Sequence, residues 1–239
     1  MLLYNRYQAA RDNIERFQKE PPFAYVIPQE QHDLPTAATL VEKLLINGVE
    51  VHQADRPFVA NGRDYRPGAW IVLMDQPFAP LVKELFQPQQ YPDLRETPNA
   101  PPIRPYDVAG WTLPMQMGVE VAAVPQAVNP EQRAGLRRLL QVAMPPGTVL
   151  GTGSTYLISH RPNACFKAIH DVLSAGGQVA FTATEVPTSA GPEAGAIVVS
   201  GIDHNRMIEI ARKHSLIAQA VDRPPQGVIS TKRPRVGLY

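Results

Sequence analysis

At 239 residues, 44% apolar and 19% charged, the chain has room for one large or two small globular domains with a substantial core. A formal net charge of +1 excludes the electrostatic footprint of a nucleic-acid or anionic-membrane binder. The longest apolar runs, such as residues 70–74, fall far short of the ~20 residues of a membrane span, and the single cysteine, Cys165, excludes an internal disulfide or a thiolate zinc cluster.

In chain order, Leu3, Tyr7, Ala10, Ile14 and Phe17 recur at helical spacing, so residues 1–20 read as an N-terminal amphipathic helix stopped by Pro21-Pro22. The opening Met1-Leu2-Leu3-Tyr4-Asn5-Arg6 turns polar at once, unlike a signal peptide. Residues 23–27 predict a strand, and Asp33 with Pro35 a helix start. That helix carries Ala37, Leu40, Val41, Leu44 and Leu45 as an apolar stripe, with Gly48 just past its end. A strand follows at 49–52, and Asn61-Gly62 marks a tight turn before the strand at 70–74.

Residues 87–105 hold six of the 25 prolines and few apolar residues, so they read as a linker or surface crossing; the total is roughly twice the usual ~5%. Residues 106–117 predict a short helix leading to a strand at 119–124. Asn129-Pro130-Glu131 is a capping signature for a helix over 129–143, with Leu136, Leu139, Leu140 and Ala143 as its apolar side.

Residues 155–214 then repeat the plan of 24–86. Thr155-Tyr156-Leu157-Ile158 answers Ala24-Tyr25-Val26-Ile27, and Cys165, Ala168, Ile169, Val172 and Leu173 answer the first stripe. Gly176 answers Gly48, and Gly195-Ala196-Ile197-Val198-Val199 answers Gly68-Ala69-Trp70-Ile71-Val72. Asp203 and Asp75 each precede a helix as N-cap-type residues. A helix between two strands implies a parallel crossover. The expected fold is therefore α/β: two similar β-α-β-β-α halves with mainly parallel, helix-covered sheets, Rossmann-like or flavodoxin-like. The expected domains are a first unit over 21–125, including the proline-rich 87–105, and a second over 126–239.

No catalytic set is readable. The histidines His32, His52, His160, His170, His204 and His214 have no partner at zinc-pair spacing, and Gly151-Thr152-Gly153-Ser154 precedes a strand rather than following one, as a phosphate loop would. Cys165 lies on an apolar helix stripe and reads as a buried structural thiol. The most site-like stretch is Pro105-Tyr106-Asp107-Val108-Ala109-Gly110-Trp111-Thr112-Leu113-Pro114, where Tyr106, Asp107 and Trp111 could line a ligand cleft, or Tyr106 and Trp111 could plug the core between the halves.

That stretch, continued by Met117-Gly118-Val119-Glu120-Val121, resembles a segment of large bacterial zinc-carboxypeptidase-like proteins, lying after their carboxypeptidase A-like peptidase domain. Leu3-Tyr4-Asn5-Arg6, Ala24-Tyr25-Val26-Ile27-Pro28 and Pro67-Gly68-Ala69-Trp70 fit the same region. The ending Arg235-Val236-Gly237-Leu238-Tyr239 resembles the opening strand of a glutamine-amidotransferase-like domain. In that family zinc is held by a His-x-x-Glu pair and a later histidine, and none of those motifs stands here. The resemblance implies a middle piece: a non-catalytic accessory module with the peptidase and amidotransferase-like domains of the parent chain as partners. Zinc is expected only in the peptidase domain, no cofactor in this chain, no nucleic-acid or membrane partner, and a secreted or periplasmic parent. The alternative is an independent binder of a sugar, peptide or nucleotide in the crevice at the carboxyl ends of parallel strands.

Overall fold

The computed structural model describes residues 1–105 and 112–232. The expected ligand-lining residues Tyr106, Asp107 and Trp111, and the expected strand at 235–239, lie outside them. Two compact units are present: residues 1–31 with 37–142, and residues 32–36 with 143–239.

The first unit runs α1 (Leu2–Phe17), β1 (Ala24–Ile27), α2 (Leu34–Ile46), β2 (His52–Ala54), β3 (Phe58–Ala60), β4 (Arg63–Tyr65), β5 (Trp70–Leu73), α3 (Ala79–Phe86), α4 (Leu113–Met117), β6 (Ala122–Val124), α5 (Pro130–Ala134) and β7 (Leu136–Arg138). Its sheet has the order β6-β1-β5-β2-β7, and every neighbouring pair is antiparallel. The second unit runs β8 (Thr148–Leu150), β9 (Thr155–Ile158), α6 (Ala164–Ser174), β10 (Gln178–Thr182), β11 (Val186–Thr188), β12 (Gly191–Glu193), β13 (Ile197–Ser200), α7 (His204–His214), β14 (Ile217–Val221) and β15 (Val228–Thr231). Its sheet has the order β15-β10-β13-β9-β14-β8, with β14–β8 its one parallel pair among the described residues.

The mainly parallel, Rossmann-like or flavodoxin-like architecture is thus corrected to antiparallel sheets. The reason lies in the crossover. β1 and β2 both pair antiparallel with β5, so they share a direction, as a β-α-β connection requires, but β5 fills the gap between them. The chain reaches β5 through the β3-β4 hairpin, whose turn carries Asn61 and Gly62 at φ 54 and 69°, the left-handed pair that a two-residue hairpin needs. The second unit repeats the device: β13 lies antiparallel between β9 and β10, after the β11-β12 hairpin. With no parallel neighbours at their centres, these sheets have no switch-point crevice of the doubly wound kind.

The registers agree as well. Tyr25 opposes Val72 and Tyr156 opposes Val199, each valine lying four residues past a glycine of positive φ, Gly68 or Gly195. On the far side Tyr25 opposes Ala123 and Tyr156 opposes Ala220.

Helix α2 buries Ala37, Leu40, Val41 and Leu44 and ends at Gly48, whose φ of 82° closes the last turn. Helix α6 buries Cys165, Ala168 and Val172. Helix α7 is capped by Asp203, whose carboxylate accepts from the Asn205 and Arg206 N–H groups, and Arg212, Lys213 and His214 complement its C-terminal dipole. Asp75 does not cap α3, whose first residue follows Phe78; it pairs with Arg133 at 3.0 Å instead.

The helix expected over 129–143 is also corrected. Asn129 and Gln132 form the capping box, but α5 stops at Ala134, and Leu136–Arg138 joins the sheet as β7 beside β2. The pairing satisfies the open edge of β2, which outweighs helix propensity over one turn. The strand expected over 119–124 shortens to β6, and the helix expected over 106–117 appears, in its described part, as α4.

Candidate functional site

The titratable groups of the interior hold loops. Glu193 is 5% exposed at its side chain; its carboxylate accepts from Ser159 Oγ and the His160 N–H, both at 3.1 Å, and pairs with Arg161 Nε at 3.3 Å. Asp33 accepts from the N–H groups of Thr36 at 2.9 Å and Asn163 at 2.8 Å. Asp171 accepts from Lys213 and His214 at 2.7 and 2.8 Å, and these donors hold its carboxyl down at about 2.

Three of the six histidines face a titratable side chain. His214 meets Asp171, His160 lies 3.8 Å from Glu193, and His204 Nδ1 lies 3.1 Å from the Tyr156 hydroxyl. The Nδ1 of His52 is buried without a partner among the described residues, and burial lowers its pKa. Among the described residues no group of three or more His, Cys, Asp or Glu converges on a point. The two histidine–carboxylate pairs each carry a cation as third member, Lys213 or Arg161, and a cation there repels a metal ion. Their residues do not fit zinc. Burial first, then the nearby Asp33 and Glu193, push the Cys165 thiol up to about 11, the opposite of what a nucleophile needs.

One feature with the dimensions of a ligand site lies in the first unit, on the side of β1 that faces α3. It is a cavity of about 610 Å³, within the range of small-molecule sites. Tyr25 and Phe86 line it with their rings packed edge to face, centroids 5.1 Å apart. Pro22, Pro125 and Met115 supply further apolar surface, and Lys83 brings a cation. Thr112, which also lines it, has a left-handed backbone at φ 50°, unusual for a β-branched residue. Tyr25 is 4% exposed, and its hydroxyl has no hydrogen-bond partner among the described residues. Burial raises its pKa, so at neutral pH the hydroxyl is protonated and able to donate.

Sequence reasoning directed attention to Tyr106, Asp107 and Trp111, outside the described residues, and missed Tyr25, Lys83 and Phe86. Tyr25 read as a strand residue and the other two as parts of a helix. The available signal was the match of Tyr25 with Tyr156, which invites the question of what each hydroxyl meets.

No helix among the described residues is long and apolar enough to cross a membrane. Comparison of the chain with family models, curated proteins and solved structures finds no match.

Proposed function

We propose that this chain is a non-catalytic accessory module of a zinc-carboxypeptidase-like protein, supporting a peptidase domain or shaping access to its cleft. One observation carries the reading: the resembling stretches 24–28 and 67–70, with Gly118, occupy scaffold positions. Ala24-Tyr25-Val26-Ile27 is the buried interior strand β1. In Pro67-Gly68-Ala69-Trp70, Gly68 takes a φ of 95°, its carbonyl accepts from Gln29 and Gln53, and Trp70 opens β5 at 3% exposure. Gly118 closes α4 in the left-handed conformation.

Helix α1 supports the same reading. It packs on α3 through its C-terminal half, where Phe17 is buried, while Leu2, Leu3, Tyr4 and Tyr7 are 58–82% exposed. An exposed apolar cluster of that kind suits a protein partner, and on this reading it meets the peptidase domain. Zinc and the general base then belong to that domain.

The test has two arms. The purified chain is expected to release no C-terminal residue from peptide substrates and to retain no stoichiometric zinc; either result reversed overturns the proposal. A carboxypeptidase A-like domain from a resembling protein, added in trans, is expected to bind the chain, and Leu3→Asp with Tyr7→Asp to weaken that binding about tenfold or more, as loss of central apolar anchors does.

A further inference from the structure

The cavity beside Tyr25 has a control inside the same molecule. Tyr25 and Tyr156 hold the same register position in sheets that match over five strands, the second carrying β8 as an extra edge strand. In the second unit the hydroxyl meets His204 Nδ1 at 3.1 Å, at the start of α7. In the first unit the corresponding helix, α3, begins at Ala79 behind Phe78, so no imidazole stands there, and the nearby Gln76 is engaged elsewhere: its amide oxygen accepts from the Glu50 N–H at 2.7 Å and its amide nitrogen donates to the Glu50 carbonyl at 3.0 Å. The Tyr25 hydroxyl is left facing the cavity.

That hydroxyl keeps contact with solvent in the open cavity and has no protein partner among the described residues, so a ligand there meets a donor that the fold does not use. Here it shares a cavity with a cation that is also without an ion pair among the described residues. Lys83 lines the cavity, and its ammonium lies 6.0 Å from the ring centroid of Phe17, at the border with a neighbouring pocket that Lys83 also lines. The remaining surface is apolar, with Phe86 and the prolines offering flat faces.

From this geometry we infer that the cavity binds a small aromatic or branched apolar acid, its body against Phe86, Pro22 and Pro125, and its carboxylate answering the Lys83 ammonium and the Tyr25 hydroxyl. A neutral ligand leaves the cation unanswered, and a cationic one is repelled. A polar ligand such as a sugar leaves most of its hydroxyls unpaired against proline and methionine surfaces. The inference is independent of the accessory-module reading: failure to hydrolyse peptides or hold zinc leaves it untouched, and failure to bind acids leaves that reading untouched.

The test is calorimetric titration of the full chain with phenylacetate, 2-phenylethanol and phenethylamine, which share a ring and differ in charge. Phenylacetate is expected to bind with a Kd on the order of 0.1–1 mM, a reasonable affinity for so small a ligand, and phenethylamine not to bind at about 10 mM. Tyr25→Phe is expected to weaken phenylacetate about 3- to 10-fold and Lys83→Gln by a similar factor, the worth of one hydrogen bond or one charge-assisted contact. Tyr156→Phe is expected to leave it unchanged. The inference is overturned if no probe saturates, if amine and acid bind alike, or if Tyr25→Phe and Lys83→Gln bind phenylacetate as the parent does.

Discussion

The two units share a strand order but fasten their hairpins by different chemistry. In the first, β3-β4 lays Phe58, Ala60 and Tyr65 into an apolar cluster with Ala24, Val26, Ile71 and Val124. In the second, β11-β12 is absent from the apolar cluster, which joins the sheet to α6 and α7; it presents Glu193, 6% exposed, to Ser159, His160 and Arg161. Topology thus decides where a hairpin goes, while side chains decide what fixing it there depends on. An apolar anchor is set by volume; a carboxylate anchor is set by direction and charge.

The largest effect expected from this contrast is at Phe58. Phe58→Ala removes a ring that is 3% exposed and is expected to cost about 3–5 kcal/mol, read as a lowered urea midpoint that changes little between low and high salt. Glu193→Gln keeps the shape and removes the charge, and is expected to cost about 1–3 kcal/mol because Arg161 loses its counter-charge and one donor loses its acceptor. A Glu193→Gln protein as stable as the parent would show that β11-β12 is held by something other than its carboxylate.

The sequence was legible where one short period decides the outcome. The stripes Ala37-Leu40-Val41-Leu44 and Cys165-Ala168-Val172 are buried helix faces, and Gly48 and Gly176 take left-handed φ values of 82 and 84° past the helix ends. Strand direction was not legible. β1, β5 and β9 are buried along their whole length, the pattern associated with parallel strands, but such burial records that both faces are covered and carries no information on direction. Residues 129–143 misled for a different reason: the capping box is local and genuine, whereas the edge that captures Leu136–Arg138 is supplied by β2, some 80 residues earlier. The cavity was illegible because its walls come from segments far apart in sequence: Pro22, Lys83, Met115 and Pro125 meet only in the fold.

The units should also part company in acid. His52, in the first, has a pKa lowered below 6.5, chiefly by burial, so the folded state favours its neutral form. Its contribution is fully present above about pH 6.5 and is lost as pH falls through the folded value, since the unfolded chain then binds the proton first. Asp171, in the second, is lowered from 3.8 to about 2, chiefly by hydrogen bonds from Lys213 and His214, so its contribution persists above about pH 3.8 and fades as pH falls toward 2. Urea midpoints followed from pH 7.5 to 3 should fall first in the unit containing His52, and His52→Gln should remove that early fall. Asp171→Asn should cost about 1–2 kcal/mol at neutral pH, where it ends two charge-assisted contacts.

The smallest effect tests the comparison most directly, because it changes one oxygen atom in each unit. Tyr156→Phe deletes a hydroxyl bonded to His204 at 3.1 Å and is expected to cost about 0.5–1.5 kcal/mol. Tyr25→Phe deletes a hydroxyl that has no protein partner among the described residues, at the same register position, and is expected to leave stability unchanged within about 0.5 kcal/mol. Thermal melts of the two variants side by side suffice. If Tyr25→Phe were instead the more damaging, its hydroxyl would be serving the fold as Tyr156 does, and the first unit would hold no polar group in reserve for a ligand.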